Sequence, residues 1–156
     1  MTPEEAADVV AVGQLQARYG DAVTRRAWDE LAALFAPGAP IRLDLRTREP
    51  IELEGGEAVG RFIANAVERF EYFEFAMLNA VVTRVDADSA TGRVYIWELR
   101  QEGASPEGGP TWSNAFGVYD DEYGRLGDDW VFTRRSYRSL ARTFPAMDVT
   151  EVLPAP

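Results

Sequence analysis

The chain shows two hydrophobic periodicities in succession, first that of helices and then that of strands. Apolar residues recur every three or four positions from Val9 to Val23, which predicts a helix that ends near residue 25. Thr2 suits the N-cap of this helix, and Glu5 stands three residues later, where it completes a capping box. The chain therefore opens with a long amphipathic helix.

Two shorter helices and one strand are predicted next. Residues 27–35, "AWDELAALF", have helical spacing and are followed by Pro37-Gly38, which ends a helix. Residues 57–70 follow a Gly-Gly pair and again show apolar residues on one helical face. Between these helices, "IRLDLR" at residues 41–46 alternates as a strand does, with Ile41, Leu43 and Leu45 on one face.

From residue 73 onward the pattern is that of strands joined by short loops. The predicted strands are residues 73–86, 89–102, 111–123 and 129–141. Long strands with short connections pair antiparallel. We therefore expect an α+β fold in which three N-terminal helices pack in a curved antiparallel β-sheet that forms a cone around a pocket. Residues 1–143 would form this domain, and residues 144–156, with three prolines, an irregular tail.

The stretch "RVYIWELRQ" at residues 93–101 is apolar on both faces where it begins, which predicts a strand buried on both sides. Alternation divides its side chains into two sets. One face carries Val94, Ile96, Glu98 and Arg100, and the other carries Tyr95, Trp97 and Leu99. A carboxylate and a guanidinium thus end an otherwise apolar face, which makes them candidates for chemistry.

Composition narrows that chemistry. The 156 residues include no His and no Cys, and all 16 basic residues are Arg. These absences exclude a Ser-His-Asp triad, a cysteine nucleophile, a zinc site built on His or Cys, and a lysine Schiff base. Acid or base catalysis would have to use Asp, Glu, Tyr or bound water.

Charge narrows the partners. The net charge is −10 and no basic stripe is visible, which disfavours nucleic acids and anionic membranes. No apolar run reaches the roughly 18 residues of a membrane helix, and the acidic N-terminus is no signal peptide, so we expect a cytoplasmic protein. Asp120, Asp121 and Glu122 alternate between faces and cannot all bind one ion, so we expect a solvated strand end, no metal and no other cofactor.

The element order and four stretches resemble the SnoaL-like family of the nuclear transport factor 2-like superfamily, which includes relatives of scytalone dehydratase, lindane dehydrochlorinase and polyketide cyclases. The stretches are "RYGDAVTRRAWDELAALFAPGA", "LEGGEAVGRFI", "LNAVVTRVDADSATGRVYI" and "FGVYDDEYGRLGDDWVFTRR". The resemblance covers about residues 8–142 and implies the cone fold. Because this fold hosts both enzymes and binding modules, function has to be argued from the site.

The catalytic Asp/His dyad of the dehydratase relatives is missing. By position, the resemblance places Thr24 where the Asp would be and Phe75 where the His would be. Val23 replaces the tyrosine that precedes the Asp, and Leu45 replaces a water-positioning tyrosine. The elimination mechanism of those relatives is therefore not expected here.

The resemblance implies that the polar groups of the pocket lie on the sheet and not at the usual dyad positions. It implies that Glu98 and Arg100 face into the cone, with Tyr119 on the next strand and Arg135 and Tyr137 on the last. In the functional reading, the candidate catalytic residues are Glu98, Arg100 and Tyr119. Substrate would contact Val23, Thr24, Leu45, Phe75, Arg135 and Tyr137. In the structural reading, Glu98 and Arg100 are only an ion pair at the rim of the cone.

Two opposing effects leave the chemistry of Glu98 open. Burial raises the pKa of a carboxyl group, which suits an acid or base, whereas a neighbouring arginine lowers it. Arg100 and Arg135 could bind a carboxylate, an enolate or another oxyanion.

Three functions fit these residues. The leading hypothesis is a tailoring enzyme without a cofactor, a lyase, isomerase or cyclase that acts on an apolar or polyketide-like substrate. A second is a non-catalytic ligand-binding or accessory protein. A third is an activity like that of limonene epoxide hydrolase, which would need a second carboxylate near Arg100. The apolar face of Tyr95, Trp97 and Leu99 predicts a homodimer.

Overall fold

A computed structural model describes residues 1–84, 86–104 and 106–143 and confirms the α+β class. The predicted tail, residues 144–156, lies outside the described residues. The helices are α1 (Pro3–Arg25), α2 (Trp28–Ala32) and α3 (Gly56–Val67). The strands are β1 (Pro40–Asp44), β2 (Ile51–Glu54), β3 (Phe70–Arg84), β4 (Ser89–Glu102), β5 (Thr111–Leu126) and β6 (Asp129–Arg142).

Helix α1 begins at the predicted capping box. The Thr2 hydroxyl accepts a hydrogen bond from the Glu5 backbone N–H at 3.2 Å, and the Glu5 carboxylate accepts one from the Thr2 N–H at 2.8 Å. These bonds satisfy two backbone donors that a helix start otherwise leaves free. At the other end, Arg26 adopts a left-handed conformation with φ of 59°, which stops the helix.

Helices α2 and α3 are both shorter than the sequence predicts. Helix α2 ends at Ala32 because the chain beyond it pairs with β6: Ala36 donates to the Phe132 carbonyl, and Phe132 donates to the Leu34 carbonyl, each at 2.9 Å. Helix α3 begins at Gly56, where a Cβ would lie 2.1 Å from the Ala32 carbonyl oxygen. Only glycine permits this close approach of the two helices.

The six strands form one sheet in the order β2-β1-β6-β5-β4-β3. The sequence predicted five of these strands and missed β2, a four-residue strand that pairs antiparallel with β1. Strand β1 pairs parallel with β6, so the expectation of a fully antiparallel sheet is wrong at this pair. The parallel pairing is possible because a long segment containing β2, α3 and β3 to β5 separates the two strands along the chain.

Irregularities in strand pairing allow the sheet to curve. On β6, Thr133 and Leu140 are extra residues without a direct partner on β5. Such bulges bend a strand and reverse the alternation of the side chains that follow. The inner face of the sheet and the three helices enclose the hydrophobic core, in which α1 packs against β3. None of the described helices is long and apolar enough to cross a membrane.

Candidate functional site

A cavity of about 200 Å³ lies between the inner face of the sheet, helix α3 and the end of α1. Its wall is largely apolar. The apolar side chains include Val23, Leu43, Leu45, Phe62, Ile63, Val67, Phe70, Phe73 and Phe75. The charged and phenolic side chains are Arg69, Glu98, Arg100, Tyr119, Tyr137 and Arg142.

Glu98 and Arg100 both line this cavity, and they share one face of β4, as strand alternation predicts. The shortest distance between their charged groups is 3.7 Å, from Arg100 Nη1 to Glu98 Oε2. This is longer than a hydrogen bond. Their side chains are 20% and 10% exposed, so both charged groups are largely removed from water. The two residues form a loose pair in an apolar setting.

Burial raises the pKa of the Glu98 carboxyl group, and the positive charges of Arg100 and Arg142 only partly oppose this effect. Desolvation is therefore the larger of the two opposing effects on the Glu98 pKa that the sequence could not rank. A carboxyl group with a raised pKa is a better proton acceptor and retains its proton to higher pH. Glu98 is thus suited to proton transfer.

The Arg100 guanidinium is only partly satisfied by the protein. It lies 5.3 Å from the centre of the Phe70 ring, and its Nη2 donates to the Asn114 carbonyl over a long 3.4 Å. Its buried Nε has no hydrogen-bond partner within the described part of the chain. Burial lowers the pKa of this group. A ligand atom with a negative charge could supply the missing partner.

Arg142 is a cavity residue that the sequence analysis missed. Its Nη2 donates to the Leu45 carbonyl at 3.2 Å and to Ser139 Oγ at 3.4 Å. Its buried Nε, like that of Arg100, has no partner among the described residues. Alternation from Tyr137 places Arg142 on the outer face, but the extra residue Leu140 reverses the alternation and turns Arg142 inward. No glycine or proline marks this bulge in the sequence.

Two tyrosines form a layer beside the charged groups. The rings of Tyr119 and Tyr137 lie 5.0 Å apart, and both line the cavity. Gly117 makes room for Tyr137, because a Cβ there would lie 2.2 Å from its ring. Burial raises the pKa of both phenols, and the charge of Glu98 adds to this at Tyr137. Both therefore stay neutral and can donate hydrogen bonds.

Arg135 was expected in the cavity wall, and this placement is wrong. Its side chain is fully buried beneath the tyrosine layer, where Nε and Nη2 contact the two oxygens of Asp121 at 2.9 and 2.8 Å. Asp121 is the residue directly opposite on β5, so the two charges neutralise each other there. The expectation that Asp121 is solvated is also wrong, since it is 3% exposed.

Further side chains surround this deep pair, although Arg135 Nη1 has no hydrogen-bond partner within the described part of the chain. Its Nη2 also donates to Gln16 Oε1 at 2.8 Å, and Gln16 Nε2 donates to Asp121 at 2.8 Å. The rings of Tyr19, Tyr119 and Phe132 lie 4.0, 3.9 and 4.1 Å from its guanidinium carbon. Cation–π contacts of this kind stabilise a buried guanidinium. Arg135 is consequently unavailable to a ligand in the cavity.

The two positions of the missing dyad contact each other in a different way. The Thr24 hydroxyl accepts a hydrogen bond from the Phe75 N–H at 3.0 Å and lies 3.4 Å from the Phe75 carbonyl. Thr24 therefore ties α1 to β3 and does not line the cavity, whereas Val23, Leu45 and Phe75 do.

Within the described cavity wall, Glu98 is the one carboxylate. The carboxylate–arginine–carboxylate arrangement that an epoxide hydrolase-like activity requires is therefore absent from this wall. In place of a second carboxylate, the cavity has a second guanidinium, that of the partly buried Arg142.

The same fold occurs in solved structures of distant relatives. A protein from Novosphingobium aromaticivorans, provisionally assigned as a scytalone dehydratase, is 18% identical with a TM-score of 0.77, over 99% of this chain and 95% of that one. The hexachlorocyclohexane dehydrochlorinase LinA-type3 from Novosphingobium barchaimii is 21% identical with a TM-score of 0.75, over 97% of this chain and 98% of that one. At these identities the likeness shows the fold alone.

No curated protein matches the sequence significantly. The family model described as a SnoaL-like domain matches residues 4–136. This range includes all of α1 but its first residue, together with Glu98 and Arg100, and ends just before Tyr137. The chain therefore belongs to the SnoaL-like family, as its resemblance to that family implied.

Proposed function

We propose that this protein is a cofactor-independent lyase, isomerase or cyclase that acts on a small, largely apolar molecule held in the pocket of the cone, with Glu98 as the proton-transfer group. The observation that carries this proposal is the Glu98 carboxyl group, buried in an apolar cavity with a raised pKa and facing two guanidinium groups. Perturbed titratable groups of this kind concentrate at functional sites.

The proposed reaction begins at a carbon next to a carbonyl group. Glu98 removes a proton from that carbon, and the electron pair of the broken C–H bond moves onto the carbonyl oxygen to give an enolate. Arg100 stabilises the negative oxygen, with Tyr119 or Tyr137 as a neutral hydrogen-bond donor. The enolate then expels a leaving group, attacks a second carbonyl or recovers the proton at another carbon. In the last step protonated Glu98 gives the proton to the departing group, to the new alkoxide oxygen or to that other carbon, respectively.

The free-energy cost of the site supports catalysis over simple binding. Burying a carboxylate and two guanidinium groups in an apolar wall is unfavourable unless each is well paired. The pairing here is loose, with 3.7 Å between Glu98 and Arg100. A pocket that only held an apolar ligand would not need these charges.

A second candidate function is non-catalytic ligand binding. The observation that favours it is the Thr24–Phe75 contact, in which a side chain and a backbone occupy the two positions of the usual dyad. In this reading Glu98 and Arg100 are structural.

Solvent-deuterium exchange distinguishes the two candidates without knowledge of the natural substrate. The protein is incubated in D₂O with a panel of small cyclic ketones and β-hydroxy ketones, and exchange next to the carbonyl is followed by proton NMR. We expect exchange above buffer for at least one compound, reduced about 10²- to 10⁴-fold in Glu98→Gln. Glu122→Gln, which removes an exposed carboxylate on the neighbouring strand, is the matched control and should exchange like the wild type. Full exchange in Glu98→Gln, or none with any compound that binds, would favour the binding protein.

We also propose that the protein is a homodimer. Tyr95, Trp97 and Leu99 lie half-buried on the sheet face that points away from the cavity, beside Phe116, which is 38% exposed. Contiguous apolar surface of this kind is typical of an interface. Sedimentation velocity at micromolar concentration should give the mass of a dimer, and a stable monomer would contradict the proposal.

A further inference from the structure

The cavity has an excess of positive charge although the whole chain is strongly acidic. Three guanidinium groups and one carboxylate line it, in a protein with a net charge of −10. Arg69 lies 2.9 Å from Glu102, outside the cavity wall, and is thereby neutralised. The groups of Arg100 and Arg142 then share a single carboxylate, that of Glu98, within the described wall. One negative charge is missing from a balanced site.

The unused hydrogen-bond donors of Arg100 and Arg142 also indicate that a negatively charged group is missing from the site. Each has a buried Nε without a partner within the described part of the chain. Arg135 Nη1 also has no partner there, but its guanidinium is enclosed by three aromatic rings and does not line the cavity. An unsatisfied buried donor on a charged group is costly, and native proteins rarely retain one without a reason. A carboxylate can accept hydrogen bonds from two guanidinium groups at once.

The size and wall of the cavity limit the rest of the ligand. Ligand pockets usually measure about 300–1,000 Å³, and this one measures about 200 Å³. An apolar cavity of roughly 150 Å³ is enough to hold benzene. Phe62, Phe70, Phe73 and Phe75 supply aromatic surface for such a ring.

We propose that the site selects a single-ring monoanion, a carboxylic acid of about the size of benzoate, whose carboxylate lies between Arg100 and Arg142 while its ring contacts the phenylalanines. This inference rests on the proposed function for the position of the site and names the class of ligand that the site takes. Arg142 is then a specificity-determining residue, because it supplies the positive charge that Glu98 does not balance. Glu98, which approaches Arg100 only to 3.7 Å, is left free for proton transfer, and Tyr119 or Tyr137 then donates to the enolate oxygen beside Arg100.

Titration calorimetry at neutral pH with benzoate and with benzamide tests the proposal. The two probes have the same ring and nearly the same shape and differ in charge. A hydrogen bond to a charged group corresponds to about a ten- to hundredfold change in affinity, so we expect benzoate to bind at least tenfold more tightly than benzamide. 1-Naphthoate, which carries the same carboxylate on two rings, should bind more weakly than benzoate. Equal affinities for benzoate and benzamide, or no binding of benzoate at 10 mM, would overturn the proposal.

Variants then locate the charge. Arg142→Gln should lose at least tenfold in benzoate affinity and leave benzamide unchanged. Arg134→Gln is the matched control, because it removes an equal charge from the same strand at a side chain that is 57% exposed. If both variants weaken benzoate equally, the effect is long-range and the assignment to Arg142 is wrong. If Arg142→Gln does not fold, Arg142→Lys tests the geometry instead, because it keeps the charge but loses the planar guanidinium. It should bind benzoate more weakly than the wild type and benzamide unchanged, and wild-type affinity for benzoate would overturn the assignment to Arg142.

Glu98→Gln separates this inference from the proposed function. Removing a negative charge from the cavity should leave benzoate affinity unchanged or increase it, while deuterium exchange is lost. If Glu98→Gln loses exchange but still binds benzoate, both the proposed function and the anion site are supported. If Glu98→Gln keeps exchange and binds benzoate tightly, only the role of Glu98 is overturned. If exchange depends on Glu98 but the protein does not prefer benzoate to benzamide, only the anion site is overturned.

Discussion

Two arginine–carboxylate pairs lie inside this protein, and they differ in contact distance and in burial. In the deep pair, Arg135 contacts both oxygens of Asp121 at 2.8–2.9 Å, and neither side chain is exposed. In the cavity pair, Arg100 approaches Glu98 only to 3.7 Å, and both side chains retain some exposure. The Tyr119 ring lies between the two pairs, because it is 3.9 Å from the Arg135 guanidinium and also forms part of the cavity wall.

The difference separates structure from function within one chemical motif. The deep pair is enclosed by Gln16 and three aromatic rings, and its contacts hold α1, β5 and β6 together. Each pair leaves one arginine nitrogen without a hydrogen-bond partner within the described part of the chain. Only the cavity pair lines a cavity and includes a carboxyl group with a raised pKa, so it can still respond to a ligand. An incomplete ion pair in an apolar wall is therefore the better indicator of a site.

The largest effect should follow from breaking the deep pair. Asp121→Asn leaves the Arg135 charge buried without its counter-ion, and removing one partner of such a pair typically costs about 3–5 kcal/mol. We expect a loss of this size in the free energy of unfolding, measured by urea denaturation at neutral pH.

Asp120→Asn is the matched control, since Asp120 accepts from Arg93 Nε at the same 2.8 Å but is 57% exposed. Exposed pairs contribute only about 0–1 kcal/mol. Comparable losses in the two neighbouring variants would show that burial does not distinguish these pairs, and the contrast drawn here would fail.

Much of the fold could be predicted from local pattern. The capping box of α1 and the bounds of β4 follow from local sequence signals, and alternation places Glu98 and Arg100 on one face of β4. That this face points into the cone was implied by the resemblance to the SnoaL-like family. Strand β2 and the parallel pairing of β1 with β6 could not be predicted, because they depend on contacts between residues far apart in the chain. The resemblance to the SnoaL-like family implied the overall fold but not these details.

The errors at the site have one common cause. Alternation gives the face of a strand on which a residue lies, but not its depth and not the position of a bulge. Arg135 is on the inner face, yet it lies too deep to reach the cavity because Asp121 stands opposite. Arg142 was not among the predicted site residues. The extra residue Leu140 reverses the alternation of side chains and turns Arg142 inward, and no turn residue in the sequence marks this bulge.

A smaller effect should follow from disturbing the tyrosine layer. Gly117→Ala places a Cβ within 2.2 Å of the Tyr137 ring, which must then move toward the cavity. Overpacking of this kind costs about 1–3 kcal/mol, and we expect a loss in this range together with weaker benzoate binding. Gly13→Ala is the control, because nothing outside α1 lies within 4 Å of its Cβ position and alanine favours a helix. Unchanged stability and binding in Gly117→Ala would mean that Tyr137 does not shape the cavity.

The smallest expected effect is a gain in stability, and it comes from replacing Glu98. It distinguishes the Glu98 carboxylate from that of Asp121 most directly. Because the folded state raises the pKa of Glu98, the unfolded chain loses this proton at lower pH than the folded chain does. Between the ordinary glutamate pKa and the raised one, the folded state holds more protons, so its stability falls as pH rises through that window. Above the raised pKa, the charged carboxylate leaves a constant penalty.

Glu98→Gln stays neutral at every pH and escapes this penalty. We therefore expect it to be slightly more stable than the wild type at neutral pH, with the difference disappearing as pH falls toward the ordinary glutamate pKa, whereas Asp121→Asn is much less stable at neutral pH. Urea denaturation of both variants and of Glu122→Gln, the exposed control 3.4 Å from Arg134, across this pH range provides the measurement. A Glu98→Gln protein that is less stable than the wild type at neutral pH would mean that Arg100 depends on the Glu98 charge. The cavity pair would then be structural, as the deep pair is, and proton transfer by Glu98 would lose its physical basis.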